Sequence, residues 1–419
     1  MKIAVIGAGI IGITTAYELA ADGHEVTVFE RRGAAAEETS FANAGVVAPG
    51  SVTPWAAPGM PGKVLGNLLS RHAAVKLSLP LSGNDLAWMW KWWRACKLET
   101  YLANRARLQR LAFYSRERLH QLTNELQMEY DRAQGYTVLL RSEKDSRLVQ
   151  PGLQVLRDAS VPFSEINAEG VRKIEPAINP DTEFLGGIHL PNDEVANCRQ
   201  FALLLKDKAR DLGVNFLFNT AVAQLNRAQA ASVLIAGEIE PRLFDRVVMC
   251  AGLASGALLK PLGLKIPMAA VYGYSISAPI REPLNAPRSA LMDERYKVAI
   301  SRLGNRVRVA GSAEIGGSLS QHRSSSIRTL YKVLHDWFPG AAQNANTGAS
   351  VQVWKGARPM LPDGPPLIGD SGILGLWLNL GHGSSGWALS CGSARALADM
   401  MAGRSAEIDM EGLNVMRLS

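Results

Sequence analysis

Several protein classes are excluded by what this chain lacks. Among its 419 residues are only four cysteines, Cys96, Cys198, Cys250 and Cys391, without pair or metal-ligand spacing. No disulfide framework or metal site is expected, and reduced thiols in a cytoplasmic setting are. No stretch approaches ~20 uninterrupted apolar residues, so no bilayer-spanning helix is expected. Basic runs interleaved with aromatics are missing, which argues against a nucleic-acid partner. Internal repeats and low-complexity segments are missing too. Met1-Lys2 leads straight into an apolar strand with no small-residue cleavage site behind it, so no signal peptide is expected.

What remains is the composition of a folded protein with a large core. Apolar residues make up 47% and charged residues 20%. The length suits two or three domain-sized units. The net charge of +7 favours an anionic substrate or an anionic membrane surface, or else only aids solubility.

The N-terminus carries the most specific signal. Ile3 to Ile6 reads as a buried strand, Gly7-Ala8-Gly9-Ile10-Ile11-Gly12 as a glycine turn, and Ile13 to Ala21 as a helix. Glu25 to Phe29 then forms a second strand, ended by Glu30. This is the setting in which G-x-G-x-x-G binds a dinucleotide. Gly7 permits the tight turn, Gly9 lets the backbone approach a pyrophosphate, and Gly12 allows close packing. Unpaired N–H groups at the helix start receive the phosphates. Glu30 lies 18 residues after Gly12 and accepts from ribose hydroxyls. The turn alone does not separate NAD from FAD. Arg31-Arg32 and the small-residue segment Thr39-Ser40-Phe41-Ala42-Asn43-Ala44-Gly45 favour FAD, because a flavoprotein chain runs back here beneath the ribityl and isoalloxazine. The bland alternative is a surface loop.

Further along, helices are expected over Arg105–Met128, Leu148–Asp158 and Arg199–Leu212. Strands are expected over Thr137–Leu140, Val214–Phe218, Ala221–Leu225, Ser232–Ile235 and Arg246–Met249. Val222, in one of these, is taken as a further cofactor contact. The last strand ends in Ala251-Gly252, where a residue without a side chain returns the backbone to the dinucleotide. Met268–Ala278, Tyr296–Arg302 and Arg306–Gly311 alternate like sheet strands, and Ser324–Phe338 reads as a helix on that sheet.

Asp85 to Leu98 holds Trp88, Trp90, Trp92 and Trp93, four of the nine tryptophans. On a helix, Leu86, Met89, Trp90 and Trp93 share one face, Trp88 and Trp92 another, with Lys91, Arg94 and Lys97 between. Such a helix either packs inside the protein or meets lipid headgroups. Lys63 to Leu79 is a second basic amphipathic stretch.

Near the C-terminus, Trp354 to Gly369 is rich in turn residues, with one strand ending at Ile368. Arg358, placed between small residues, suits a two-point clamp on a carboxylate, or else is a surface arginine. Gly381-His382-Gly383-Ser384-Ser385-Gly386 follows a strand at Leu376–Leu380 and opens a helix from Trp387 to Met401. Its dipole suits the electron-rich edge of a reduced flavin. His382 is either a residue of the site or a structural part of the turn.

Together these motifs resemble the D-amino-acid oxidase and glycine oxidase family, in the branch of the FAD-binding small subunit of bacterial D-amino-acid dehydrogenase. The resemblance runs over nearly the whole chain. It rests on the glycine fingerprint, Thr39-Ser40, Ala42 to Gly45, and Pro54-Trp55-Ala56-Ala57-Pro58-Gly59. Leu190-Pro191-Asn192-Asp193-Glu194, Gly273-Tyr274-Ser275, Arg358-Pro359-Met360, Pro362-Asp363-Gly364 and Gly381-His382-Gly383 extend it. It implies an α/β (α+β) two-domain fold: a Rossmann-like FAD domain of glutathione-reductase type, and a substrate domain with a mixed or antiparallel sheet. The expected FAD domain is discontinuous, 1–85, 190–262 and 345–419, and the substrate domain is 86–189 with 263–344.

The resemblance also implies oxidative deamination of D-amino acids, with electrons passed to a quinone or other respiratory acceptor at the inner membrane face. It puts Arg358 on the substrate carboxylate and Tyr274 on the sheet facing the flavin. Tyr272 stands where the branch usually has lysine, which points toward cyclic, proline-like substrates. Rival readings are a glycine or sarcosine oxidase producing peroxide, an L-amino-acid deaminase, or a subunit that only relays electrons. An NAD-dependent dehydrogenase is least favoured.

Overall fold

The computed structural model describes residues 1–66, 73–226, 231–342 and 351–418. Part of the Lys63–Leu79 stretch lies outside the described residues.

The apolar strand Lys2–Ile6 pairs in parallel with Glu25–Phe29 on one side and Arg246–Met249 on the other. These are central strands of a six-stranded sheet. Leu376–Leu380 and Leu367–Asp370 extend one edge, the latter antiparallel, and Asn215–Leu217 forms the other. Ile3, Val5, Val26 and Val28 are solvent-free because both faces are covered. The helix Ile10–Ala21 packs here beside Gly386–Met401 and Cys198–Asp211.

The second unit is a ten-stranded mixed sheet whose longest run is antiparallel. Gln352–Met360 is its edge strand, followed inward by Ala269–Pro279, Arg306–Gly316 and Val298–Leu303. Alternation along these strands sets two faces. Tyr274, Ile276, Ile300 and Val309 pack beneath the helix Ser324–Trp337 with Leu330, Val333 and Trp337. The opposite face turns toward the first unit.

The expected two-domain α/β architecture is present. Three boundaries differ. The helix Leu98–Glu125 was expected in the substrate domain, yet it packs on Ile10–Ala21's unit through Leu108, Leu111, Leu119 and Leu122. Gly392 on the last helix approaches so closely that a Cβ there would lie 2.8 Å from the backbone of Ser115. The strand Gly186–Ala196 joins the large sheet, beyond the expected boundary at residue 190. Residues 352–360 were read as turn-rich within the FAD domain, but they form the edge strand of the large sheet. Pro359, which has no N–H to give a neighbour, is compatible with an edge.

Candidate active site

The glycine turn forms as its spacing requires. Gly7 takes φ +104°, and a Cβ there would meet the Cys250 carbonyl oxygen at 2.7 Å. A Cβ on Gly12 would overlap the Gly7 carbonyl oxygen. Turn, helix and the end of the Arg246–Met249 strand are thus interlocked, which brings Ala251 and Gly252 beside the turn. Among the described residues no acceptor faces the N–H groups of Gly9, Ile11 or Gly12. Unpaired donors at a helix start fit a pyrophosphate. Ile10 differs from expectation, since its N–H is taken by Ser40 Oγ at 3.0 Å.

The Glu30 carboxylate accepts from the Ala8 N–H and the Arg32 N–H, both at 2.8 Å. Its remaining lone pairs suit ribose hydroxyls. The Arg31 guanidinium closes on Glu38 through two bonds and Arg32 through its Nε, so both shape the rim of the site. Thr220 N–H donates to the Glu30 carbonyl at 2.8 Å, which brings Val222 to the same end of the site.

Residues 39–45 form a strap between the two units. Thr39 Oγ1 donates to the Ala357 carbonyl at 2.7 Å. Ala42, Asn43 and Ala44 each turn a carbonyl to the large sheet. Their donors are Ser275 Oγ at 2.9 Å, an Arg308 Nη1 at 3.1 Å and Ser301 Oγ at 2.7 Å. Among the described residues, the N–H groups of Ala42, Asn43 and Ala44 have no acceptor, and Ala42 is buried. Gly45, at φ +77°, donates its N–H to Asn43 Oδ1. A row of amides without acceptors, with its Ala42 member buried, suits a ligand that satisfies it. Glycine turn, Glu30 and strap together fit FAD.

Arg358 lies on the sheet face turned toward the strap. Its register partner is Val271, and Ser275, four residues along the same strand, is on the same face. The guanidinium rests on Gly273, where a Cβ would lie 2.3 Å from Nη2. Nη1 donates to the Ser312 carbonyl at 3.1 Å. Ser312 sits in a bulge, where Tyr272 and Tyr274 pair with Glu314 and Gly311, and its φ is +60°. That left-handed backbone costs a serine about 1–2 kcal/mol and aims its carbonyl at Arg358. Burial pushes the guanidinium down to about 10, still cationic at neutral pH. Among the described residues no carboxylate pairs with it. A desolvated, unpaired cation on a bare glycine fits an anionic ligand group.

Both tyrosines require correction. By the same alternation Tyr272 and Tyr274 lie on the face opposite Arg358, with Lys355. Tyr274 is buried, its hydroxyl bonded to the Glu314 carboxylate and receiving the Arg323 N–H at 3.1 Å. Lys355 Nζ reaches Glu314 at 2.9 Å and stands 4.4 Å over the Tyr272 ring. Neither side chain shares the face that carries Arg358 and meets the strap. Lys355, Glu314 and Ser312 were not singled out from sequence; only the bulge explains their arrangement.

His382 is buried against Ser393 Oγ at 3.1 Å, and burial pushes its pKa down to about 3. Burial thus favours its neutral form, and the Ser393 contact holds it as part of the turn. Gly381 and Gly383 both have positive φ, and added Cβ atoms would strike Leu361 and Met360. Ser384 and Ser385 complete a short 3-10 turn into the helix beginning at Gly386.

Fold and site together define a flavin-dependent oxidoreductase. The family profile described as "FAD dependent oxidoreductase" (DAO) matches residues 2–400, and the chain belongs to that family. It is 41% identical over 422 residues to a D-amino acid dehydrogenase of Bradyrhizobium diazoefficiens, covering 100% of this chain and 99% of that one. A D-amino acid dehydrogenase of Rhizobium rhizogenes is 40% identical, with 100% of both chains covered. Among solved structures, glycine oxidase from Geobacillus kaustophilus superposes with a TM-score of 0.78 at 19% identity, covering 99% of this chain and 98% of that chain. The family resemblance read from the motifs is thereby borne out.

Proposed function

We propose that this enzyme oxidises D-amino acids to imino acids, which water hydrolyses to keto acids and ammonia. The observation that carries the reading is the unpaired Arg358 guanidinium, held over Gly273 on the sheet face that meets the strap. The relatives named D-amino acid dehydrogenase support the substrate class.

Bound FAD supplies a two-electron acceptor for the hydride leaving Cα. The chain's part is orientation. Arg358 fixes the substrate carboxylate and so the direction of the Cα–H bond. That bond breaks with its electron pair, while the lone pair of the neutral amine forms the C=N bond. A strong base is unnecessary, in keeping with the neutral, buried His382.

The physiological acceptor in this reading is a quinone or another respiratory carrier. The tryptophan helix supports peripheral contact with the inner face of the cell membrane. No described helix is long and apolar enough to cross a membrane. The helix spans Gly83–Ala95, opened by a capping box between Ser82 and Asp85. Trp88 and Trp92 stack inward, and Trp88 Nε1 donates to the Met360 carbonyl at 2.8 Å. Trp90 and Trp93 are 53% and 60% exposed and Leu86 is 55% exposed, beside exposed Lys91 and Arg94. Exposed tryptophan beside basic residues fits a headgroup layer.

The direct test is turnover of D-, L- and cyclic amino acids with an artificial electron acceptor, with and without oxygen. D-amino acids should reduce the dye with little peroxide. Arg358→Ala should lower kcat/KM roughly 30- to 1,000-fold, equivalent to about 2–4 kcal/mol, mainly through KM. Undiminished turnover in that variant, or preference for L-enantiomers, would sink the proposal.

A further inference from the structure

The strap is bonded to the large sheet by unequal partners. Ser275 and Ser301 are neutral donors that any small hydroxyl residue could replace. Arg308 is a cation, and an expensive one to place. Its Nε–H is buried without an acceptor, as is that of Arg199 nearby. Among the described residues it has no carboxylate partner, and its one hydrogen bond goes to the Asn43 carbonyl at 3.1 Å. Burial lowers it to about 10; Arg306 and Arg199 act in the same direction, and Cys198 and the Asp131 carboxylate, which does not bond it, act against them. A residue present only to fasten the strap would do so at less cost as a neutral donor.

The peptide that Arg308 touches explains the difference. The Asn43–Ala44 bond is trans, since the only cis peptide among the described residues is Leu79–Pro80. In a trans peptide the carbonyl and the N–H point in opposite directions. The Asn43 carbonyl faces Arg308, so the Ala44 N–H faces away from the sheet. That N–H has no protein acceptor. The Asn43 N–H is placed alike, because the Ala42 carbonyl is held by Ser275 Oγ at 2.9 Å. Two donors thus project from the free side of the strap. A charged hydrogen bond to a carbonyl polarises its peptide and strengthens the N–H at the other end.

We propose that Arg308 is an electrostatic positioning residue for the flavin, acting through the Asn43–Ala44 peptide to make the Ala44 N–H a stronger donor to the electron-rich reduced cofactor. The inference rests on the reading that the strap cradles FAD. Its effect is on the cofactor's affinity for electrons, not on substrate capture, which belongs to Arg358.

The test uses the full-length flavoprotein without substrate. The ratio of reduced to oxidised flavin is measured in equilibrium with a reference dye, for the parent and for Arg308→Met, Arg308→Lys and Ser301→Ala. Arg308→Met should keep FAD yet disfavour its reduction at least tenfold, about 30 mV for a two-electron couple. Arg308→Lys should recover most of that shift, since it keeps the charge. Ser301→Ala, which removes a neutral donor to the next carbonyl, should stay within twofold. Should Arg308→Met not fold with FAD, Arg308→Gln replaces it, with the same expectation. A ratio within twofold of the parent in the uncharged variant overturns the proposal. So does an Arg308→Lys shift as large as that of the uncharged variant. Because no substrate is present, these outcomes are independent of whether D-amino acids are turned over.

Discussion

At the scale of single residues, the site depends on an absent side chain as much as on a present one. Arg358 lies flat only because Gly273 has nothing above its backbone. Gly273→Ala would place a methyl group 2.3 Å from Nη2 and displace the clamp by about 1 Å. Misplacement of that size costs on the order of 100-fold in kcat/KM, with FAD content and thermal stability little changed. Steady-state kinetics on D-amino acids check this, and parent-like kinetics would refute it. Arg358 was legible in the sequence because its neighbours are small and turn-forming. Tyr272 and Tyr274 were misread for a reason of period. Adjacent to Gly273, they necessarily point to the other face of the strand. The bulge at Ser312 leaves no signature, because a positive φ there falls on an ordinary residue.

At the scale of elements, the glycine turn and its helix were read within a few residues, since spacing and sterics alone define them. The strand Gln352–Met360 was missed, because glycine and proline mark turns except at a sheet edge. The sequence grouped the four tryptophans onto two faces of a helix but left packing and lipid contact as alternatives; the structure buries Trp88 and Trp92 and exposes Trp90 and Trp93. If the outer pair meets lipid, Trp90→Ser with Trp93→Ser should sharply weaken co-sedimentation with anionic vesicles while leaving dye-linked activity in detergent intact. The buried Trp88 and Trp92 keep the helix in place in that variant. Equal vesicle binding by parent and variant would assign this face to a protein partner instead.

At the scale of the molecule, the FAD unit is tied together by charges the sequence could not pair. Buried Glu18 on the fingerprint helix accepts from Arg118 at 2.7 and 3.0 Å and from Arg395 at 2.8 Å. Arg395 continues to Asp22 at 2.6 Å and Asp399 at 2.9 Å. Three helices far apart in sequence are thereby joined, and for this reason Leu98–Glu125 belongs with the FAD unit. Burial alone would raise Asp22, but its bonds to Arg395 and Arg404 outweigh that and hold it below the usual carboxylate range. Its contribution to stability is therefore full above the unfolded carboxylate pKa and fades as the pH falls through the lower folded value. Glu18→Ala would leave two guanidiniums short of a buried partner, at a cost of about 3–5 kcal/mol. Urea unfolding followed by flavin release should show a clearly lower midpoint; an unchanged midpoint would mean the network contributes nothing.

The strap's bonds also set when the site can exist during biosynthesis. Asn43 and Arg308 are 265 positions apart, and Thr39 and Ala357 are 318 apart. At a ribosomal rate of roughly 5–20 residues per second, the strap emerges tens of seconds before its anchors. The glycine fingerprint waits likewise for the strand Leu376–Leu380 to complete its sheet. A nascent chain that has not yet reached Ser275 would carry the dinucleotide turn but none of the sheet residues that bond the strap. The cofactor site is therefore assembled only after the chain has passed Leu380, long after its own glycine turn has emerged.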